Sequence, residues 1–225
     1  MATPPAASSA THKRGSQIVD RGYPNYPTYP ARPINGGPPR LARPKPGHWI
    51  TQPKFNGWRA LVHLAGDATP IWNRHGERFT IADDFTEALT AAAHAFPSGT
   101  WLDCEALQRR GSIRNTLVIL DIVVPDLPWT ARKQLLAASG VPVLPWDYMP
   151  AKDYGFPHGR LVVTDEIPVD YTLRAACEFF ALVNTDMGET VFEGVVMKKA
   201  DSVYPIQTRS PDTRFPYWVK HRFIG

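Results

Sequence analysis

The sequence contains only two cysteines, Cys104 and Cys177, among its 225 residues. Neither has a nearby Cys or His at the spacing of a zinc site, and two cysteines cannot form a disulfide scaffold. The longest apolar run, around residues 117–124, is interrupted by Asp121 and is far too short to span a bilayer. We therefore expect no membrane association and a reducing compartment, either cytoplasmic or nuclear, rather than secretion.

The familiar phosphate-binding loops are also missing. The sequence has no GxGxxG pattern and no GxxxxGK followed by Ser or Thr. Its composition is otherwise that of an ordinary globular chain, with 43% hydrophobic and 20% charged residues.

The net charge of +4 is unevenly distributed. Residues 1–46 contain seven Lys or Arg against one acidic residue, together with ten of the 23 prolines. This composition predicts a disordered, basic, proline-rich arm over residues 1–46, followed by one folded domain over residues 47–225. A basic arm raises the affinity for polyanions without reading their sequence.

The body alternates short strand-like segments with three helical patterns. The helices are predicted over residues 83–96, over residues 130–136 with Thr130 as the cap, and from a cap at Asp170 with Cys177 and Ala181 facing inward. Strands are predicted over residues 60–64, 100–107, 116–124, 160–164, 191–198 and 217–223. Many short strands with few helical crossovers indicate an α+β fold.

Five polar segments carry the residues that are suited to chemistry. They span residues 53–59, 73–80, 101–107, 192–198 and 217–222. Taken singly, each is typical of a turn or of an amphipathic strand with one solvated side. Among their charged residues, Lys54, Lys198, Lys220 and Arg222 would gather positive charge, and Glu105 and Glu193 would add carboxylates. Cations suit a polyphosphate and hard oxygen ligands suit Mg²⁺, which is the combination that nucleotidyl transfer requires.

In this order and at this spacing the five segments resemble the motifs of ATP-dependent DNA ligases. These enzymes belong to the covalent nucleotidyltransferase superfamily, with RNA ligases and mRNA capping enzymes. The KxDGxR motif corresponds to residues 54–59, the SRNGxxxT-like motif to residues 73–80 and the LDGEL-like strand to residues 102–107. The EGVVLK-like strand corresponds to residues 193–198 and the WxKxK-like strand to residues 218–222. The resemblance covers about residues 48–225 and implies the nucleotidyltransferase fold, with twisted antiparallel sheets packed with helices.

The resemblance implies that Lys54 is the nucleophile. Its neutral amine, favoured by neighbouring cations, would attack the α-phosphorus of ATP, expel pyrophosphate and hold AMP as a phosphoramidate. AMP would then pass to a 5′-phosphate end, and a 3′-hydroxyl would displace it to seal nicked or broken DNA, with Mg²⁺ assisting.

The same resemblance implies roles for the other site residues. Gln52 would read the adenine, and Arg59 would contact the ribose or the nick-side phosphate. Glu105 would bind the ribose or a metal, and Glu193 would bind the metal. Lys220 and Arg222 would hold the α-phosphate, and Arg74 would bind the phosphate beside the nick. Lys198 would also contact the nucleotide. Strand alternation puts Lys198 and Glu193 on opposite faces unless the strand twists, and Gly194 is the expected place for that twist.

Three features depart from the family pattern. Asn56 stands where the family has Asp, which we expect to weaken metal or lysine tuning without removing function. Leu120 replaces the aromatic residue that stacks on adenine. The sequence ends three residues after Arg222, so we expect no C-terminal OB-fold domain, and a partner protein would be one way to supply its role.

Two alternatives remain open. One is an RNA ligase or capping-like enzyme of the same fold, which the Asn56 substitution favours. The other is a non-catalytic nucleic-acid-binding module, which would not need Lys54, Glu105, Glu193 and Lys220 together.

Overall fold

The computed structural model describes residues 32–39, 46–66, 69–80, 82–107, 113–149, 160–205 and 213–223. The strands in chain order are β1 (Arg32–Asn35), β2 (Trp49–Phe55), β3 (Trp58–His63), β4 (Ile71–Asn73), β5 (Trp101–Leu107), β6 (Thr116–Ile122), β7 (Val143–Leu144), β8 (Leu161–Thr164), β9 (Phe192–Lys199) and β10 (Arg214–Arg222). The helices are α1 (Thr86–Ala95), α2 (Trp129–Ala138) and α3 (Leu173–Met187), with a 3₁₀ turn, Ala82–Phe85, directly before α1. Within these ranges no helix combines the length and apolar character needed to cross a membrane.

The strands form two sheets. Sheet A has the order β1-β10-β9-β2, and sheet B has the order β4-β3-β5-β6-β8-β7. Most neighbouring strands are antiparallel, but the β1–β10, β6–β8 and β7–β8 pairs are parallel. The predicted α+β class is confirmed, and the sheets are mixed rather than purely antiparallel.

Two large hydrophobic cores, beside a smaller cluster of Leu61, Trp72 and Trp101, hold the described sheets and helices together. In the first, residues of β3 and β5 such as Ala60 and Leu102 pack with Phe85 and Ala88 at the start of α1. In the second, α3 packs on β9, where the Phe180 and Phe192 rings stack at 4.5 Å between centroids. The opposite face of β5 carries acidic side chains, and it is this face that contributes to the site described below.

The helix predictions are confirmed in position but not in every cap. Thr130 lies inside α2, whose N-cap is Pro128 without a side-chain hydrogen bond. The N-cap of α3 is Thr172 rather than Asp170, and its hydroxyl accepts a hydrogen bond from the backbone N–H of Ala175. Cys177 faces inward as predicted, whereas Ala181 is exposed.

Two strands near the candidate site, β1 and β2, were not predicted from the sequence. β1 lies within the segment assigned to the arm, so residues 32–35 belong to the folded body. Residues 1–31 and 40–45 of that segment lie outside the described residues. β2, which carries Lys54, was also missed, because its polar positions break the apolar alternation that marks a strand. This segment is a strand because it pairs antiparallel along β9, a partner that lies far away in the sequence.

Candidate active site

A cavity of about 700 Å³ lies between sheet A and the β3–β5 part of sheet B. This volume is typical of small-molecule sites. Every site residue named from the sequence lines this cavity: Gln52, Lys54, Arg59, Arg74, Glu105, Leu120, Glu193, Lys198, Lys220 and Arg222. The fold therefore brings together side chains that are separated by up to 170 positions in the sequence.

One carboxylate joins two of the cations in the cavity. Lys54 Nζ lies 3.2 Å from Glu193 Oε1, and Arg222 Nε lies 2.7 Å from Glu193 Oε2. The Lys54 and Glu193 side chains are only 16% and 15% exposed. This partial burial strengthens the pairing relative to an ion pair on the open surface.

A bulge in β9 allows Glu193 and Lys198 to line the same cavity. The register with β2 shifts between Lys54 and Phe55, opposite Gly194. Gly194 has φ = 152°, and a Cβ there would overlap the carbonyl oxygen of His221. Only glycine tolerates this backbone. The twist expected at Gly194 is confirmed.

The turn after Lys54 is held from two sides. The Gly57 N–H donates to Glu105 Oε1 at 3.0 Å, and a Cβ at Gly57 would lie 2.6 Å from the carbonyl oxygen of Ala106. The Asn56 side-chain amide donates to the carbonyl oxygen of Thr190 at 3.1 Å. Asn56 therefore ties the lysine turn to the segment that leads into β9.

The electrostatics of the cavity shift two further groups. Burial raises the pKa of Glu105 to about 7, although Lys54, the Gly57 N–H and Arg59 partly oppose that shift. Burial also lowers the pKa of Lys220, and the charges of Arg222, Arg32 and Lys54 lower it further. The cavity therefore disfavours additional positive charge and suits an anionic ligand.

Arg59 is engaged by a buried carboxylate. Its Nε and Nη2 donate to the two oxygens of Asp103 at 2.9 and 2.6 Å, and the Tyr204 hydroxyl donates to the same carboxylate at 2.9 Å. Burial by itself would lower the pKa of Arg59, but Asp103 raises it above its ordinary value. Asp103 lies two residues before Glu105 on β5, so the two carboxylates share one face of the strand.

Lys198 lines the cavity, but its ammonium is directed into a buried polar network. Lys198 Nζ donates to the carbonyl oxygen of Leu120 at 2.8 Å and to Asp121 Oδ2 at 3.2 Å. Arg132 donates to both oxygens of Asp121, at 2.7 and 3.0 Å. The Lys198 ammonium also lies 4.5 Å from the ring centroid of Trp129. These contacts support the strand that carries Leu120.

Two buried donors in the cavity wall have no hydrogen-bond partner among the described residues. They are Gln52 Nε2 and Trp218 Nε1, in side chains that are each 2% exposed. Buried polar atoms are nearly always paired, so such atoms beside a cavity indicate where a polar ligand binds. Sequence reasoning named Gln52 but treated Trp218 only as part of a motif.

Arg74 lies on a loop that Asn73 organises. Asn73 Oδ1 accepts from the backbone N–H groups of His75 and Glu77 at 2.7 and 3.1 Å. Arg74 and Arg78 are exposed on this loop, at the rim of the cavity.

The fit of the site to Mg²⁺ depends on the substrate. Among the described residues no group of three or more His, Cys, Asp or Glu side chains is arranged to hold a metal ion. Glu105 and Glu193 supply two carboxylates, and Mg²⁺ is commonly held by one or two carboxylates together with substrate phosphates. The residues therefore fit Mg²⁺ when it arrives with a nucleotide.

Solved structures with the same architecture are ligase domains. The ligase domain of LigD from M. tuberculosis has a TM-score of 0.57 at 20% identity, and the match covers 87% of this chain and 59% of that one. Mycobacterial DNA ligase D complexed with ATP and MES has a TM-score of 0.55 at 21% identity, covering 87% and 60%. A Lig E DNA ligase, described as binding DNA with a minimal scaffold, has a TM-score of 0.51 at 14% identity, covering 86% and 68%.

No protein-family model matches the sequence, and no curated protein matches it significantly. The chain spans about 60% of the length of the two ligase D structures. At these identities the likeness concerns the fold. This chain has the fold of the nucleotidyltransferase domains of ATP-dependent DNA ligases.

Proposed function

We propose that this chain is an ATP-dependent polynucleotide ligase that acts through a lysyl-AMP intermediate, with DNA as its substrate. The observation that carries the proposal is the position of Lys54, which lines the cavity and pairs with Glu193, the carboxylate that also binds Arg222 of β10. The unpartnered donors of Gln52 and Trp218 in the wall of the same cavity support the proposal, since they are available to bind the adenine base. The ATP complex of the mycobacterial ligase D, which has the same fold, supports ATP as the nucleotide.

In the first step the Lys54 amine forms a bond to the α-phosphorus of ATP, and the bond to the pyrophosphate oxygen breaks. Lys54 pairs with Glu193 as an ammonium, so its nitrogen loses one proton to become the attacking amine and a second as the phosphoramidate forms. Glu193 Oε1, 3.2 Å away, lies within reach to accept the first, and solvent takes the second. Lys220 and Arg222 neutralise charge on the α-phosphate, which is where electrostatic stabilisation matters most in phosphoryl transfer. Mg²⁺, held by Glu105 and Glu193 with the phosphates, would neutralise further phosphate charge.

In the later steps AMP passes from Lys54 to a 5′-phosphate, and a 3′-hydroxyl then displaces AMP as the strand is sealed. Arg74 and Arg78 lie on the exposed rim where the phosphates of a polynucleotide would approach. The similarity to the LigD and Lig E structures supports DNA rather than RNA as the substrate proposed for this chain. Neither the fold nor the comparisons support the partner protein that the sequence analysis suggested.

The first test is self-adenylation. The full chain is incubated with α-labelled ATP and Mg²⁺, and we expect an acid-labile label on the protein that Lys54→Ala abolishes. Lys199→Ala is the matched control, because Lys199 pairs with Asp201 at 2.9 Å and does not line the cavity. Labelling that survives Lys54→Ala, or no labelling of the wild-type chain, would contradict the proposal.

The second test concerns the substrate. The adenylated protein is supplied with nicked DNA and with nicked RNA, and we expect sealing of the DNA. Sealing of RNA alone would reassign the chain to the RNA ligases. Binding of DNA without transfer of AMP to its 5′-phosphate would limit the activity to self-adenylation and contradict the proposed ligase.

A further inference from the structure

Trp58 is a large aromatic residue exposed at the rim of the cavity. It begins β3, directly before Arg59, and it is 46% exposed. Strand alternation directs it away from Arg59 and Asp103, toward the face on which Ala60 and Val62 are buried. Trp58 lies at the start of β3, where nearly half of its side-chain surface is exposed.

The ring of Trp58 is supported from one side by Phe79. The two ring centroids are 6.1 Å apart and the planes are inclined at 61°, which is an edge-to-face arrangement. Phe79 itself packs against the core beneath α1. A supported ring loses little conformational freedom on binding, which favours it as a contact surface.

Positive charge lies next to this aromatic pair. Phe79 follows Arg78 and belongs to the same loop as Arg74, and both arginines are exposed and line the cavity with Trp58. Glu77, the acidic residue of this loop, receives hydrogen bonds from Asn73. Exposed aromatic rings interleaved with arginines are the arrangement that binds single-stranded nucleic acid, with cations on phosphates and rings on bases.

We propose that Trp58, supported by Phe79, is a stacking platform for an unpaired base at the 5′-phosphorylated end of a polynucleotide. The inference rests on the proposed ligase function, because the platform borders the cavity in which Lys54 would hold AMP. Stacking tolerates every base, since each base presents a π-face, so the platform selects an unstacked end rather than a sequence. Its preferred substrate is therefore a single-stranded or frayed end.

The experiment is a cycle that changes both the protein and the nucleic acid. A labelled, 5′-phosphorylated single strand of DNA and the same strand lacking the base of its first nucleotide are each titrated with the full-length protein, followed by fluorescence anisotropy. We expect removal of the base to weaken binding to the wild-type chain about tenfold. Trp58→Ala should weaken binding of the intact strand by a similar factor and should no longer respond to removal of the base.

The controls separate stacking from structural damage. Trp58→Phe keeps an aromatic ring and should keep most of the response to base removal. Tyr217→Ala is the matched control, since Tyr217 is 47% exposed and does not line the cavity, and it should behave as the wild-type chain. If Trp58→Ala does not fold, Trp58→Gln replaces it.

Equal losses on base removal in the wild-type and Trp58→Ala proteins would overturn the platform. So would binding that is confined to a nicked duplex. Self-adenylation of the same wild-type preparation distinguishes the two proposals. Base-dependent binding without self-adenylation would support the stacking platform and reject the ligase function. Self-adenylation without any effect of Trp58→Ala on the response to base removal would support the ligase function and reject the platform.

Discussion

Lys54 Nζ and Glu193 Oε1 lie 3.2 Å apart, although the two residues belong to different strands and are far apart in the sequence. The same carboxylate binds Arg222 through its second oxygen. The proposed nucleophile is therefore held in place by a group that also orients Arg222, the cation proposed to bind the α-phosphate.

The first prediction concerns the bridging carboxylate. Glu193→Gln keeps the shape of the side chain but removes the charge that Lys54 and Arg222 share. We expect the rate of self-adenylation to fall on the order of a hundredfold, the size typical of losing one electrostatic contact in an active site. The rate is measured with α-labelled ATP. Glu178→Gln, which disrupts only an exposed pair with Arg174, should leave it unchanged, and a normal rate in Glu193→Gln would remove Glu193 from the mechanism.

The second prediction concerns Asn56, which donates to the carbonyl oxygen of Thr190. An aspartate at this position cannot donate when ionised and would place its charge against that oxygen. We expect Asn56→Asp to lower the free energy of unfolding by about 2 kcal/mol and Asn56→Ala by about 1 kcal/mol. Urea unfolding at neutral pH measures both. An Asn56→Asp protein as stable as the wild type would show that the hydrogen bond is not what retains asparagine here.

The third prediction is a pH dependence that arises from Glu105. Burial raises its pKa from 4.5 to about 7, with Lys54, Arg59 and Glu193 as its charged neighbours. Between these values the folded protein holds a proton that the unfolded chain has lost, so the free energy of unfolding falls as pH rises through this range. The loss attributable to Glu105 is at most about 3 kcal/mol.

Glu105→Gln should remove that part of the slope. Unfolding is measured in metal-free buffer at several pH values between the two limits, and the two slopes are compared. Glu178→Gln should keep the wild-type slope. Identical slopes in the wild-type and Glu105→Gln proteins would show that Glu105 does not titrate in this range.

The fourth prediction tests the role of Lys198. Its ammonium pairs with Asp121, which is fully buried, as is the neighbouring Arg132. Lys198→Met leaves Asp121 without one of its two cations, and we expect a loss of about 3 kcal/mol in the free energy of unfolding. Lys133→Met, which breaks the pair between the exposed Lys133 and the partly buried Glu166, should cost less than about 1 kcal/mol. An unchanged stability together with weaker ATP binding would return Lys198 to the nucleotide-binding role that the motif implies.

Much of the site could be predicted from the chain because its residues sit in short ordered motifs. Lys54, Glu105, Glu193 and Arg222 line one cavity, as the resemblance implied. The pairing of Arg59 with Asp103 could not be predicted, because it depends on how β3 and β5 align in the sheet, and the local sequence does not show this alignment. The hydrogen-bonding state of Trp218 was equally inaccessible, since an unpartnered donor is recognised only when every neighbouring atom is known.

The sequence by itself determined the α+β class, the approximate positions of three helices and the set of charged residues available for nucleotide chemistry. Hydrophobic periodicity and the order of the motifs can be read directly from the sequence, because neither depends on how distant segments pack together. Tertiary structure alone decided that Arg32–Asn35 is a strand, that Glu193 pairs with both Lys54 and Arg222, and that Lys198 points to Asp121. Each of these depends on pairing or burial between segments far apart in the chain, where the cost of desolvating a charge or leaving a backbone group unpaired selects one arrangement.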